Sequence, residues 1–567
     1  MALGTPPLTP RTPLTVRRLR NGLASSAVSL AVIAAGLLVT FTATSAATPH
    51  ALLAQTPRLT PPPPCRASAA DTAVLASLRT GTRRSATSVA VLEFDSRVMD
   101  TERSHLAPAV TAQLRSRLAE IPGVMVETRG TVERVFNASG GRIDSLQSSL
   151  GDELAVVGEV IPQRDRIDIT VRVLQAGKDV TRWERVFAYP RTSLRQVVES
   201  VAEAVAEMSQ SRVPPALLGM SSDAYEITVR GDYFLAQHDP VAADSARRNY
   251  ERAIAADPGA PIPSARAARA RVALLERLGR SDDRAIGEHV LAGMSLADAA
   301  LKKDSANAEA WTARAILLRY RNPANYAGVV AAHERAIAAD PNSADAHEAY
   351  AVTLMRLGRD AAAEQHLRRS LALEANRASA LRALAEYEYY HRRYGPSCAL
   401  VNASIGADSY DPLAYALRAR VRMQLNEFRD ALSDAETALR LTASPWSSAL
   451  QFYVTASGTN VDDVRLEARR VASVKLQPGR HMTVPEGTYT SLAFEALGDR
   501  TRAFEALRRI QPTGVDMTMA LRDPRFDQMR SDARFRRLAA ADSKTIRADS
   551  ASTRSGAASR VPGSPSR

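Results

Sequence analysis

Three spacings of apolar residues succeed one another along the chain. LASSAVSLAVIAAGLLVTFTATSAA (Leu23–Ala47) carries no charge over twenty-five residues, long enough at about 1.5 Å per helical residue to span the roughly 30 Å bilayer core. Between Ser88 and Met208, short β-branched runs (SVAVLEFD, VMVETR, Ala155–Ile161, Ile167–Leu174, Arg182–Phe187) alternate with segments of helical period. One of these is Leu106–Gly123, with Leu106, Val110, Leu114, Leu118 and Ile121 on one face. A short helix around Ile143–Leu150 and a helix over Leu194–Met208 complete the order β-α-β-α-β-β-β-α. From residue 222 to about 512 only helical period remains.

The last regime is repetitive. ERAIAADP occurs at Glu251–Pro258 and again at Glu334–Pro341. In steps of 34 from Glu334 come RRSLALEA at Arg368, NASIGADS at Asn402 and ETALRLTA at Glu436. Each keeps a small residue third (Ala336, Ser370, Ser404, Ala438) and an aliphatic one fourth (Ile337, Leu371, Ile405, Leu439). DAALKKDS at Asp298 lies between the identical copies, 47 residues after Glu251 and 36 before Glu334, so two longer units account for their separation. With Ala315, Ala351, Ala385 and Ala419 at the middle of each first helix, Ala363 and Ala431 opening second helices, Trp311 as the bulky early residue and Gly358 in the turn RLGR, the pattern resembles the tetratricopeptide repeat. About six units fit 222–443. A degenerate seventh falls at 447–475 and an eighth at Thr488–Pro512.

Ahead of the array, SVAVLEFD, RLAEIPGVMVETR, SLGDELAVVGEV, RIDITVRVLQAGKDVTRWERVF and LRQVVESVAEAVAEM resemble, in order and spacing, the TolB amino-terminal-like domain found before repeat arrays in bacterial envelope and signalling proteins. Glu93 stands where that family commonly has a proline, so the resemblance does not carry over the bend at the end of the first strand. The resemblance implies a non-catalytic role in assembly or ligand sensing. DAYEITVRGDYFLAQHDP and LRDPRFDQMRSDARFRRLAA also resemble the segments that bracket such arrays, and Phe526, Met529 and Phe535 are placed to cover the last repeat's apolar edge.

The expected organisation is a basic cytoplasmic segment at 1–22, a transmembrane anchor or signal sequence at 23–48 and a Pro-rich linker at 49–84. An α/β domain at 85–212 and the repeat array at 213–513 follow, then a cap at 514–540 and a disordered tail at 541–567. The fold class is therefore a small α/β domain followed by an all-α tetratricopeptide solenoid, with one N-terminal transmembrane helix. Arg11, Arg17, Arg18 and Arg20 precede the apolar run with no comparable cluster just after it, so the positive-inside rule places the bulk of the chain outside the cytoplasm, at the inner membrane and in the periplasm. Cleavage near TSAA would release it there. The linker reads as an extended polyproline spacer.

The net charge of +13 resides in the flanks, leaving only +2 over 85–540 and no nucleic-acid footprint. Nothing in the spacing pairs the two cysteines: Cys65 reads as a linker residue and Cys398 as a small buried hydrophobe. No metal cluster, phosphate loop, nucleophile elbow or paired carboxylates stand out. Glu93, Asp95 and Glu159 read as solvated strand ends and Gly140–Arg142 as a turn. No enzyme, cofactor, metal or small-molecule substrate is expected.

Positions 2, 5, 9 and 12 of each unit face the concave wall of such a solenoid. They select Glu348, Val352 and Met355, then Arg382, Glu386 and Tyr389, then Arg420 and Met423 as the partner-binding groove. Mixed charge, an aromatic and two methionines suit an extended peptide or a helix of an envelope protein. The expected function is that of a membrane-anchored extracytoplasmic scaffold or adaptor. The alternative is the sensory portion of a signalling system whose cytoplasmic output is a separate chain, since 22 residues are too few for an independent domain.

Overall fold

The computed structural model describes residues 62–540 with interruptions, the longest at 80–86, 99–104, 147–152, 214–219, 458–481 and 511–519. The expected N-terminal segment at 1–22, the apolar run at 23–48, most of the Ile143–Leu150 helix, the second half of the degenerate repeat and the tail at 541–567 lie outside the described residues. Among the described residues no helix is long and apolar enough to cross a membrane.

The α/β part is built on strands β1 (Thr87–Val91), β2 (Asp95–Ser96), β3 (Val124–Val126), β4 (Leu154–Pro162), β5 (Ile167–Gln175) and β6 (Val180–Tyr189). The sheet order is β3-β1-β4-β5-β6, with β2 also paired to β4. β1 runs parallel to β3 and β4, whereas β4, β5 and β6 form an antiparallel meander in which Ile169 faces Phe187 and Val173 faces Trp183. The expected single strand over Ser88–Asp95 is broken after Val91. The edge groups freed there are taken up by the next helix: Arg115 donates to Val91 O at 2.6 Å and to Glu93 at 2.8 Å, and Thr111 Oγ1 accepts from Phe94 N at 3.2 Å. The bend thus forms without a proline. Phe94 turns under Gly158, where an added Cβ would stand 2.3 Å from the ring.

Helix α1 (Ala69–Arg79) precedes the sheet, and α2 (Leu106–Ala119) and α3 (Leu194–Met208) cover it. A Ser193–Gln196 capping box starts α3. Leu106, Val110, Leu114 and Leu118 meet Val197, Val198, Val201 and Val205 over β-strand valines and isoleucines in one dry core. Tyr225 and Val229, from the first repeat helix, belong to that same core. Gln113 donates to Asp232 at 3.0 Å and Tyr189 to Glu226 at 3.1 Å, so the sheet unit and the array are packed together at this end.

The array comprises helix pairs α4 (Ser222–Leu235) with α5 (Pro240–Ala256), α6 (Ile262–Leu278) with α7 (Asp283–Lys303), and α8 (Ala308–Arg321) with α9 (Tyr326–Ala339). Next come α10 (Ala344–Arg356) with α11 (Asp360–Leu373), α12 (Ala378–Tyr390) with α13 (Tyr394–Ala407), and α14 (Pro412–Gln424) with α15 (Phe428–Leu441). α16 (Pro445–Ser457) follows, then the pair α17 (Val484–Ala496) and α18 (Arg500–Arg509). The starts of α10, α12 and α14, and of α11, α13 and α15, fall 34 residues apart, the tetratricopeptide period. Both ERAIAADP copies close second helices, at the ends of α5 and α9. The extra length between them resides in the 17-residue α6 and 21-residue α7.

Close helix approach explains the small residues. Ala336, Ser370, Ser404 and Ala438 have no exposed surface, and the two serines also donate across the pair, Ser370 to Ala344 O at 2.9 Å and Ser404 to Ala378 O at 2.8 Å. The turn between paired helices needs one left-handed residue, which is Gly358, then Arg392, then Asn426, again 34 apart, with φ of 68°, 61° and 62°.

The expectation of a free spacer does not hold for residues 62–79, nor does the expectation of unpaired cysteines. Ser68 and Asp71 form a reciprocal cap that starts α1. Leu78, with half-buried Val74 and Leu75, packs into the core of the distal repeats. Cys65 and Cys398 are joined in a disulfide across 333 residues of sequence. Linear spacing carried no sign of it because the partners are brought together only by the docking of this segment on α13.

Candidate partner-binding groove

The first helices α4, α6, α8, α10, α12 and α14 lie side by side, and their facing residues carry a ladder of ion pairs. Arg266 on α6 reaches Asp232 on α4 at 3.5 Å and Glu309 on α8 at 3.0 Å. Arg269, one turn on, pairs with Asp345 on α10 at 2.9 Å and stands 3.6 Å from Glu309. Arg377, at the head of α12, grips both Asp345 at 2.6 Å and Glu348 at 2.5 Å. Arg382 then pairs with Asp411, the cap of α14, at 2.7 Å, and Arg420 with Glu386 at 3.2 Å. Each cation thus bridges successive units, which fixes their relative rotation as well as neutralising the wall.

The electrostatic consequences follow the geometry. The carboxylates of Asp232 and Glu309 raise the Arg266 guanidinium further above its ordinary range. Burial alone would raise the Asp345 carboxyl, but Arg269 and Arg377 outweigh it and hold it below the usual value.

The eight residues selected by position divide into two groups. Glu348, which also accepts from Ser379 at 2.8 Å, belongs to the ladder, as do Arg382, Glu386 and Arg420. Met355, Tyr389 and Met423 are packed in the core of the distal repeats, with Val352 half-buried against it. Arg266, Arg269, Asp345 and Arg377 were not singled out in the sequence. Asp345 occupies position 2 of its unit, an offset the positional rule already included but from which no residue was selected.

The distal end of this wall is covered by the chain's own C-terminal segment. A 3-10 turn over Pro524–Met529 follows Arg522 and Asp523. Asp523, 2% exposed, accepts from Tyr389 Oη at 2.9 Å and from Arg420 at 3.0 Å. The Arg420 guanidinium lies 4.3 Å above the Tyr389 ring. Arg522 holds Asp360 at 2.6 Å, and Arg392 in the left-handed turn pairs with Asp527 at 2.6 Å. Phe526, Met529 and Phe535 are buried in the same core. The segment therefore does more than cap an apolar edge: it occupies the groove from α10 to α14. Among the described residues no three His, Cys, Asp or Glu side chains are grouped to hold a metal.

Solved structures similar to the chain include PilF from Pseudomonas aeruginosa, at 16% identity and a TM-score of 0.28, covering 40% of this chain and 96% of that one. A tetratricopeptide repeat protein from Parabacteroides merdae has 16% identity and a TM-score of 0.30, covering 50% and 100%. YrrB, a tetratricopeptide protein with an unusual peptide-binding site, has 16% identity and a TM-score of 0.24, covering 35% and 95%. No protein-family model matches the chain, and no curated protein matches it.

Proposed function

We propose that the chain is a non-enzymatic scaffold or adaptor, anchored by Leu23–Ala47 and exposed outside the cytoplasm of a bacterium, whose repeat array holds protein partners along its first-helix wall. The observation that carries this reading is the set of ion pairs between neighbouring units that runs from Asp232 to Arg420 across six first helices. A partner strand or helix laid along that wall meets alternating charge at each step and exchanges ion pairs with it, which favours specificity over raw affinity. The Cys65–Cys398 disulfide supports an oxidising compartment, because such bonds persist outside the cytoplasm and are rare within it.

Cross-linking followed by pull-down from membranes tests the reading. Recovery of envelope proteins whose cross-links map to α6, α8 and α10 is expected; recovery of a kinase or transcriptional regulator instead would replace scaffolding by signal input. Protease added to spheroplasts tests the orientation, and a repeat array that stays protected would overturn it.

A further inference from the structure

A second seat for a peptide lies away from the first-helix wall, and it is already filled by the chain itself. Arg418 and Arg422, one turn apart on α14, are 2% and 0% exposed and share a single carboxylate, Asp434 on α15, itself 0% exposed. Arg418 contacts it at 2.7 and 3.0 Å, and Arg422 at 2.5 Å. Two guanidiniums against one carboxylate leave surplus buried N–H donors, each costly if unmet. Arg422 spends one on Asp430 O at 3.0 Å. Arg418 gives another to Asn402 Oδ1 at 3.2 Å, and two more go to the N-terminal segment: Arg418 donates to Pro62 O at 3.1 Å, and Arg422 donates to Pro63 O. Beside them Asn402 on α13 reads one residue's backbone twice, donating to Cys65 O at 2.9 Å and accepting from Cys65 N at 3.2 Å. Cys398, one turn before Asn402, closes the seat covalently.

The chemistry of the seat defines its ligand. Proline has a carbonyl and no N–H, so a proline run offers acceptors alone to a site that offers donors. It also holds its carbonyls in a preformed extended helix, so little ordering is lost on docking. The contacts are to main-chain atoms, and Pro63 and Pro64 keep exposed outer faces, so the seat reads the backbone of any segment with this geometry. We propose that Asn402, Arg418, Arg422 and Cys398 form a binding site for an extended, proline-rich, cysteine-bearing peptide, occupied in cis by Pro62–Cys65 and opened to a partner's segment when the disulfide is reduced. A dithiol reductant supplies the two electrons: its two thiols become a disulfide, and Cys65 and Cys398 each leave as a thiol. The proposal does not depend on the first-helix wall binding anything, because that wall and this seat use different residues.

The test uses the full chain in detergent and a synthetic peptide, PPPPC, carrying its cysteine as a 2-pyridyl disulfide. Attack by the Cys398 thiolate exchanges one S–S bond for another and releases pyridine-2-thione, which is read optically. The resident segment is displaced in a variant carrying Pro62→Gly, Pro63→Gly, Pro64→Gly and Cys65→Ser. That variant is expected to take up PPPPC at least about tenfold faster than the control GSGSC, and adding Asn402→Ala is expected to slow both peptides, because Asn402 holds the backbone of the cysteine they share, while the preference, the Arg418–Asp434–Arg422 trio and the helical circular dichroism persist. The unaltered chain is expected to take up peptide only after reduction with dithiothreitol and removal of the reductant, since residual dithiothreitol would itself cleave the pyridyl disulfide. Equal rates for the two peptides in the displaced variant would overturn the site, and uptake by the unaltered chain without reductant would overturn the latch.

Discussion

Lowering the pH from 7 to 5 should loosen the array at one identifiable place, around His333. This imidazole has no exposed surface; its Nε2 lies 3.0 Å from Thr353 Oγ1, its ring stacks on Tyr350 at 5.4 Å, and its Nδ1 has no hydrogen-bond partner. Burial first, with help from Arg319 and His366 and against Asp345, pushes it down to about 3. The folded state therefore prefers neutral histidine, and the opened state binds the proton first. The contribution is whole above the ordinary value near 6.5 and declines as pH falls towards 3. At pH 5, about 1.5 pH units below the opened form's value, protonation favours the opened form by about 2 kcal/mol, and this holds for any folded value well under 5. Local opening of α9 and α10 should then rise about 30-fold, because each 1.4 kcal/mol is a factor of ten. Hydrogen exchange of residues 326–356, corrected for intrinsic rates, measures it. The His366 imidazole beside His347 is also lowered, by burial and then by its neighbour, so the informative quantity is the difference between the unaltered chain and His333→Gln. If both lose the same protection between pH 7 and 5, the assignment to His333 is wrong.

Asp434→Asn should destabilise the α14–α15 pair by about 3 to 5 kcal/mol, because two buried guanidiniums lose their carboxylate; limited proteolysis between residues 424 and 428 would report it, and unchanged resistance would contradict the burial of the trio. Gly158→Ala should cost about 1 to 3 kcal/mol through overpacking, since its Cβ would stand 2.3 Å from Phe94; the sheet unit's exchange rates are the readout. Asp523→Asn removes the charge facing Arg420 while leaving an oxygen for Tyr389, and should release the C-terminal segment; faster cutting near 522–530 with the repeats intact is the expected result.

The regular features were legible because their causes are local. The 34-residue spacing, the small residues at helix contacts and the alternating strands each follow from short-range geometry, and the helix pairs stand where the ERAIAADP comparison puts them. The turns were legible only at Gly358; Arg392 and Asn426 adopt the same left-handed conformation, and an arginine there gives no sign of it in sequence. The groove residues were found as positions but not as pairs. Arg382–Glu386 reads in sequence as a pair within one helix, whereas in space Arg382 turns to Asp411 and Glu386 to Arg420 on the next unit. Contacts spanning hundreds of residues, Cys65 with Cys398 and Arg418 with Pro62, have no periodic signature at all.

Helix α14 shows what those long contacts do to the available surface. Arg418 and Arg422 lie one turn apart and so share a face, the one that meets residues 62–63. Arg420, two residues from each, points about 200° around the helix at roughly 100° per residue, towards Asp523. The N-terminal and C-terminal segments thus sit on opposite sides of one helix, each held by arginine. A third chain approaching these repeats must displace Asp523 or break the disulfide, whereas among the described residues Arg266, Arg269, Glu309 and Asp345 on α6, α8 and α10 have their ion pairs with one another and with other first helices, not with either segment. Their side chains keep between about a fifth and two fifths of their surface exposed, so a partner's charge can enter the ladder there by exchange with an existing pair. The chain's own ends therefore direct partner binding towards the repeats nearest the sheet unit, and cross-links should move towards α12 and α14 when Asp523→Asn frees the distal wall.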